Sequence, residues 1–219
     1  GIAEAALRAA VKYADERVQF GAPIARLTAV AAMLADMRVS TEASRALLYE
    51  TSAIVDTKDA LEHRLAHLPA DGAADALSTE QVRALRAELK QATRLAGLFT
   101  PLAKACATEM ANRVTYDALQ VHGGSGYMRD FAVERHMRDA RVTNIYEGTT
   151  QLQVVAAIGG VLSGTLSERL DEYDAALEPV PDVRDRIRGT RHSLDAAVAH
   201  VRELGDSRFR DLHAGRLVA

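Results

Sequence analysis

Along most of this chain apolar side chains recur three and four residues apart, the spacing of one face of an α-helix. In the first eighteen residues Ile2, Ala5, Ala6, Ala9 and Tyr13 fall on one side and Arg8, Lys12, Asp15 and Glu16 on the other. This predicts a helix from about Gly1 to Val18, ended by Gly21-Ala22-Pro23. Val30, Met33, Leu34, Met37, Leu47, Leu48 and Ile54 mark a second stripe and predict a long helix over about Thr28 to Asp56. The spacing then degrades between Thr57 and Leu77, where Pro69, Asp71 and Gly72 punctuate the chain, and residues 57–77 read as an insertion. Ser78 with Gln81 has capping-box spacing and opens a third helix, running to about Val121 and stopped by Gly123-Gly124. Pro101, with Thr100 as a cap, predicts a kink or a restart inside it. A short helix is expected from Phe131 to Ala140. An almost wholly apolar one follows from Thr150 to Leu162, its start marked by Thr150 and Gln153. Beyond Gly164, Leu166–Leu177 predicts one helix and Pro179-Val180-Pro181 a break. An amphipathic helix then carries Val183, Ile187, Thr190, Leu194, Ala197, Val198 and Val201. No strand pattern, repeat or low-complexity tract stands out. The expected fold class is all-α: an up-and-down four-helix bundle over residues 1–163 with a C-terminal helical appendage over 164–219.

Composition narrows this further. Of 219 residues, 48% are hydrophobic and 26% charged, ordinary for a globular chain. Aromatics at 5% and the absence of Trp point to helices packed closely through Ala and Leu. A net charge of −3 gives the whole chain no attraction to nucleic acid or anionic lipid. The single cysteine, Cys106, has no internal disulfide partner and reads as an inert core thiol. No apolar run reaches the roughly 18 residues that span a bilayer, and with no leader pattern a cytoplasmic setting is the default expectation. The chain opens in helical register without an initiator Met, and is expected to be the C-terminal part of a larger protein.

The candidate chemistry is concentrated in Asn144-Ile145-Tyr146-Glu147-Gly148-Thr149-Thr150-Gln151. Glu147 stands between an aromatic and a glycine at the mouth of the apolar helix, a place for a general base; a solvated loop glutamate is the plainer reading of position alone. The seven histidines are scattered. His63 and His67 have helical i, i+4 spacing but no third ligand in reach along the chain, so solvated side chains are expected and no metal site. Arg184, Arg186, Arg188 and Arg191 are interleaved with Asp182, Asp185 and Asp195, which favours a solvated helix face over a nucleic-acid patch.

Three stretches, in order, resemble the motifs of the acyl-CoA dehydrogenase family over about residues 1–163. They are Arg17-Val18-Gln19-Phe20-Gly21-Ala22-Pro23-Ile24, Gln120-Val121-His122-Gly123-Gly124-Ser125-Gly126-Tyr127, and Ile145 to Gln153 with its lead-in Arg138-Asp139-Ala140-Arg141. The resemblance implies FAD as cofactor and an acyl-CoA thioester as substrate. By it Glu147 is the base for the α-proton, with its own amide polarising the thioester carbonyl alongside a flavin hydroxyl, and Tyr146 and Gly148 lie against the substrate. Arg17 is matched to the FAD pyrophosphate, and Gln19 and Phe20 to the same segment, serving the flavin of a neighbouring subunit. Gln120, Gly123 and Gly124 are matched to the adenosine diphosphate half, and Thr149 and Gln151 to the flavin near the base. His122 is expected to pack or hydrogen-bond rather than catalyse. One departure is Thr28, where many members carry a flavin-contacting glutamine. The resemblance also implies a homo-oligomer, dimer or tetramer, and electron-transfer flavoprotein as acceptor. A second reading keeps the bundle but makes it a catalytically idle assembly or nucleic-acid-binding module.

Overall fold

The computed structural model describes residues 1–68, 77–176 and 180–204. Its elements are α1 (Ile2–Glu16), β1 (Val18–Gln19), β2 (Ala22–Pro23), α2 (Thr28–Ala66), α3 (Thr79–His122), α4 (Gly124–Tyr127), α5 (Val133–Thr143), α6 (Thr150–Leu162), α7 (Thr165–Ala176) and α8 (Pro181–Leu204). The fold is all-α, an up-and-down bundle with a helical appendage, as expected. Among the described residues no helix is long and apolar enough to cross a membrane.

Contacts group the chain into two units: Gly1–Tyr49 with Ala103–Thr150, and Glu50–Leu102 with the described residues from Gln151 on. In the first unit α1 buries Ala3, Ala6, Leu7, Ala10 and Ala14. That face lies one residue along from the one expected, because an alanine-rich helix offers too little polarity contrast to fix its phase. These small side chains meet Met37 of α2, Val114 and Ala118 of α3, and Val133 at the start of α5. Leu7, Met37, Val114 and Val133 are nearly inaccessible to water, and each contributes about 1.5–3 kcal/mol on burial. In the second unit Val154 and Ile158 of α6 pack on Val201 of α8. Gly160 leaves room for Leu98, whose Cβ would lie 2.9 Å from a Cβ added there. α7 is tied down by charge: Arg169 bridges Glu50 and Glu172, the Tyr173 hydroxyl donates to Glu50 at 2.9 Å, and Arg94 donates to Thr165 at 2.9 Å.

Several boundaries differ from expectation. α2 does not stop near Asp56 but runs ten residues further, to Ala66. Those turns carry local bonds, from the Thr57 hydroxyl to the Ala53 carbonyl (2.7 Å) and from Lys58 to Glu62 (2.9 Å), and half-buried Leu61 and Leu65 continue the face of buried Ile54. Pro69, Asp71 and Gly72 of the expected insertion lie outside the described residues. Ser78 and Gln81 do form the reciprocal cap that opens α3 (2.8 and 3.2 Å). α3 shows no restart at Pro101; buried Leu98, Phe99, Ala103 and Ala105 on either side anchor both flanks, offsetting the missing amide. The unexpected strands are two residues each, paired Val18 with Pro23 and Gln19 with Ala22, too short for any alternation to register. Cys106 is exposed, not a core thiol, although crowding at its sulfur pushes the thiol pKa up.

Candidate functional site

The hairpin after α1 turns on Phe20 (φ 53°) and Gly21 (φ 81°). Both central residues are left-handed, as a two-residue turn of matching twist requires. Glycine adopts that geometry freely, whereas Phe20 pays about 1–2 kcal/mol for it while 89% exposed. Arg17, Val18 and Gln19 are exposed beside it, and Thr28 is exposed as the first residue of α2. At the far end of α3, Gly123 takes a positive φ of 60° and its amide caps the Gln120 carbonyl at 3.0 Å. Gly124 instead begins α4. Gln120, Gly123 and Gly124 are exposed.

An aromatic cluster joins these two segments. Tyr13, one turn ahead of Arg17, stacks on His122 with centroids 4.3 Å apart, and Phe131 meets both edge-on at 5.4 Å. His122 is 4% exposed, and burial, opposed in part by its bond to the Ala118 carbonyl, holds its pKa below the ordinary 6.5. The expectation of a packing role is met.

The Glu147 loop lies at the other end of α1. α5 carries the chain back along α1, so that Thr143 and Tyr146 face Ile2, Ala3 and Glu4 across a cavity of about 300 Å³. α1 is 15 residues long, which puts the two ends roughly 20 Å apart. The structure thus gathers Arg17, Gln19, Phe20, Gln120, Gly123 and Gly124 in one region and Tyr146, Glu147, Gly148 and Thr149 in another; Gln151 is exposed in the first turn of α6. Glu147 itself is exposed, so the described residues do not by themselves shut its carboxylate away from water. Its backbone is unusual: φ is 52° at Glu147 and 90° at Gly148. A left-handed glutamate costs of order 1–3 kcal/mol and persists where the surroundings impose it. The cavity is lined mostly by Ala, Thr, Leu, Met and Tyr, and closed on one side by Glu4, which accepts from Arg8 (2.8 Å) and Arg45 (3.0 Å). Hydrogen bonding to Arg8 holds the Glu4 carboxyl below its usual range.

Two side chains that the sequence did not single out reach this loop from α3. Lys104 donates to the Gly148 carbonyl at 2.7 Å. Glu109 accepts from Asn144 Nδ2 at 3.0 Å and from Thr150 Oγ1 at 2.5 Å. The available signal for Lys104 was its isolation: it is the one charge in the run Gly97–Ala107.

The arginines of α8 are largely occupied. Asp174 of α7 holds Arg184 at 3.2 Å and Arg188 at 2.6 Å, and Arg191 pairs with Asp171 and Asp195. Most of the neutralising acids thus come from the preceding helix, Asp171 and Asp174, with Asp195 from α8 itself. His63 and His67 stack on each other in solvent, 4.1 Å apart, and among the described residues no group of three or more His, Cys, Asp or Glu is placed to hold a metal ion.

Comparison with known proteins follows the same segments. The family model "Acyl-CoA dehydrogenase, C-terminal domain" matches residues 1–63 and 55–158. The caffeyl-CoA reductase–Etf complex subunit CarC of Acetobacterium woodii is 36% identical over 162 residues, covering 74% of this chain and 34% of that protein. The short-chain specific acyl-CoA dehydrogenase of Megasphaera elsdenii is 35% identical, covering 74% and 33%. An acyl-CoA dehydrogenase from Bacillus anthracis, solved in complex with FAD, aligns with a TM-score of 0.56 at 26% identity, over 81% of this chain and 28% of that one. The chain spans about a third of the length of the curated relatives it matches.

Proposed function

The chain belongs to the acyl-CoA dehydrogenase family, through that family's C-terminal domain, and we propose that it forms the C-terminal part of an FAD-dependent enzyme that desaturates an acyl-CoA thioester between its α and β carbons. The observation that carries this reading is the left-handed Glu147 in front of Gly148, next to Tyr146 on the rim of an apolar cavity. A non-glycine residue held in that geometry at a motif glutamate is strain kept for a purpose other than folding.

The residues present suit the cofactor. A Cβ added at Gly21, Gly123 or Gly124 would meet no atom within 4 Å, so open space lies over these glycines, and the exposed Arg17 offers a guanidinium fork that matches pyrophosphate oxygens. Phe20 offers an exposed ring beside it, and Gln19 and Gln120 amide groups; Thr149 and Gln151 would meet the flavin near the base. FAD, when bound, supplies the acceptor for the β-hydride. The protein's own part is proton and carbonyl management. A Glu147 carboxylate oxygen takes the α-proton, leaving the electron pair of that C–H bond to form the α,β double bond as the β-hydride departs. The Glu147 amide donates to the thioester carbonyl and acidifies the α-carbon. Tyr146 and Gly148 hold the thioester end in place.

The family resemblance implies that the Arg17 segment serves the flavin of a neighbouring copy, and the placement of Arg17 and Glu147 at opposite ends of α1 is consistent with that. Exposed Tyr116, Tyr127 and Met137 lining a groove of about 830 Å³ are consistent with a homo-oligomer, dimer or tetramer. Electron-transfer flavoprotein is the proposed acceptor, in line with the Etf-complex relative. The isolated 219 residues are expected to retain FAD poorly and not to turn over. The test is to mix the oligomeric flavin-loaded enzyme containing this chain with a panel of acyl-CoA esters without oxygen. Loss of the oxidised-flavin colour with at least one ester supports the reading, and a flavin that no ester reduces refutes it.

A further inference from the structure

The seven residues Asn144 to Thr150 are bound to α3 at three points, one beside the tip and two at the ends. The Lys104 ammonium donates to the Gly148 carbonyl at 2.7 Å and lies 5.7 Å from the centre of the Tyr146 ring, so one cation touches the residues on both sides of Glu147. The Glu109 carboxylate accepts from Asn144 and Thr150, the first and last residues of the loop. The Thr150 amide closes the loop on the Asn144 carbonyl at 3.3 Å, and Arg141 holds the Asn144 side-chain oxygen. Lys104 and Glu109 are five residues apart, about 7.5 Å along α3, and so engage the tip and the ends at once.

We propose that Lys104 and Glu109 are positioning residues: they impose the left-handed backbone at Glu147 and fix the direction in which its carboxylate meets the substrate. The proposal rests on Glu147 being the base. The chemistry of the contacts argues for it. Lys104 ends on a neutral main-chain carbonyl inside a part-buried setting, where an apolar residue would cost no desolvation. What the ammonium supplies that Met or Leu cannot is a directed hydrogen bond to the carbonyl of Gly148, in the peptide that joins Gly148 to Thr149. With that bond gone, Gly148 has the freedom to relax and Glu147 to leave its strained φ.

The experiment is a double-mutant cycle in the flavin-loaded enzyme containing this chain, reading the rate of flavin reduction by a saturating acyl-CoA. Lys104→Met is expected to slow that rate about 10²-fold, the loss that follows a displacement of roughly 1 Å, with KM and flavin content unchanged. Lys104→Arg, which can still donate to the carbonyl, restores most of it. In a Glu147→Gln background Lys104→Met costs nothing more. Hydrogen exchange at the Tyr146 to Thr149 amides is expected to quicken in Lys104→Met while the α1 core amides stay protected. Glu109 is exposed, so Glu109→Ala tests the same clamp without touching the core and is expected to lower the same rate at unchanged KM. Equal losses from Lys104→Met in both backgrounds, or full rates in both Lys104→Met and Glu109→Ala, overturn the proposal. If Glu147→Gln itself turns over normally, the base assignment fails first; if it is inactive while the clamp variants are normal, only the clamp fails.

Discussion

The ring of His122 lies against that of Tyr13 at 4.3 Å and 24°, and His122 Nδ1 sits 2.7 Å from the Ala118 carbonyl. A carbonyl oxygen can only accept, so Nδ1 carries a proton in either charge state, and it is burial that favours the neutral ring in the stack. Burial lowers its pKa below 6.5, which means the unfolded chain takes up the proton first. The stabilisation is therefore full above about pH 6.5 and is lost as the pH falls from there toward the folded-state pKa. The expected outcome is a Tm advantage of the native chain over His122→Gln that is largest near pH 7.5 and shrinks by about pH 5. An advantage that grows on acidification would contradict the neutral stack.

Two glycines in the second motif should separate cleanly. A Cβ at Gly126 would lie 2.6 Å from His122 Cβ, 3.0 Å from the Leu119 carbonyl and 3.3 Å from Val133. Gly126→Ala is expected to cost about 1–3 kcal/mol in chemical denaturation, since neither the helix backbone nor the aromatic cluster can retreat. A Cβ at Gly124 meets nothing within 4 Å. Gly124→Ala should therefore leave the denaturation midpoint unchanged while reducing flavin retention in the assembled enzyme.

Phe20 is strained and exposed, so folding does not explain it. Phe20→Gly relieves about 1–2 kcal/mol of left-handed strain and adds back roughly 0.5–1 kcal/mol of chain entropy. Thermal stability is expected to hold or rise slightly, and flavin retention to fall. A clear drop in Tm would mean that the ring contributes to the fold itself.

In the second unit, Arg188 and then Arg184 hold the Asp174 carboxyl down to about 2. A depressed carboxylate adds stability that is present above its ordinary 3.8 and lost as pH falls through the folded value. A side-chain carboxyl titration by NMR should give a midpoint near 2 for Asp174, moving up in Arg188→Gln. A midpoint near 3.8 in the unaltered chain would mean the α7–α8 ion pairs are not maintained in solution.

Much of this architecture was legible in the residues. The apolar run from Thr150 to Leu162 marks α6 to the residue, and Ser78 with Gln81 marks the start of α3, because caps and long stripes are local signals. What was hidden depends on contacts distant in sequence. α2 outran the expected end because Leu61 and Leu65, two half-buried positions among charged ones, extend its stripe too sparsely to register, while Lys58–Glu62 adds a local pair. The two-residue strands lacked the Asn-Gly or Asp-Gly signal and turn on Phe20 instead. In the candidate site the motif residues were visible, but the polarity of their arrangement was not. That Arg17 and Glu147 occupy opposite ends of α1 follows from the return of α5, and the hold of Lys104 on Gly148 spans 44 residues.

The central claim is that the Glu147 carboxylate takes the α-proton of an acyl-CoA. The direct measurement is the rate of flavin reduction in the assembled enzyme with Glu147→Gln, an uncharged side chain of the same shape. The expected result is bound substrate with a rate lower by about 10²–10⁴-fold, the contribution of a positioned base. A rate within a few-fold of the unaltered enzyme would place the proton acceptor elsewhere.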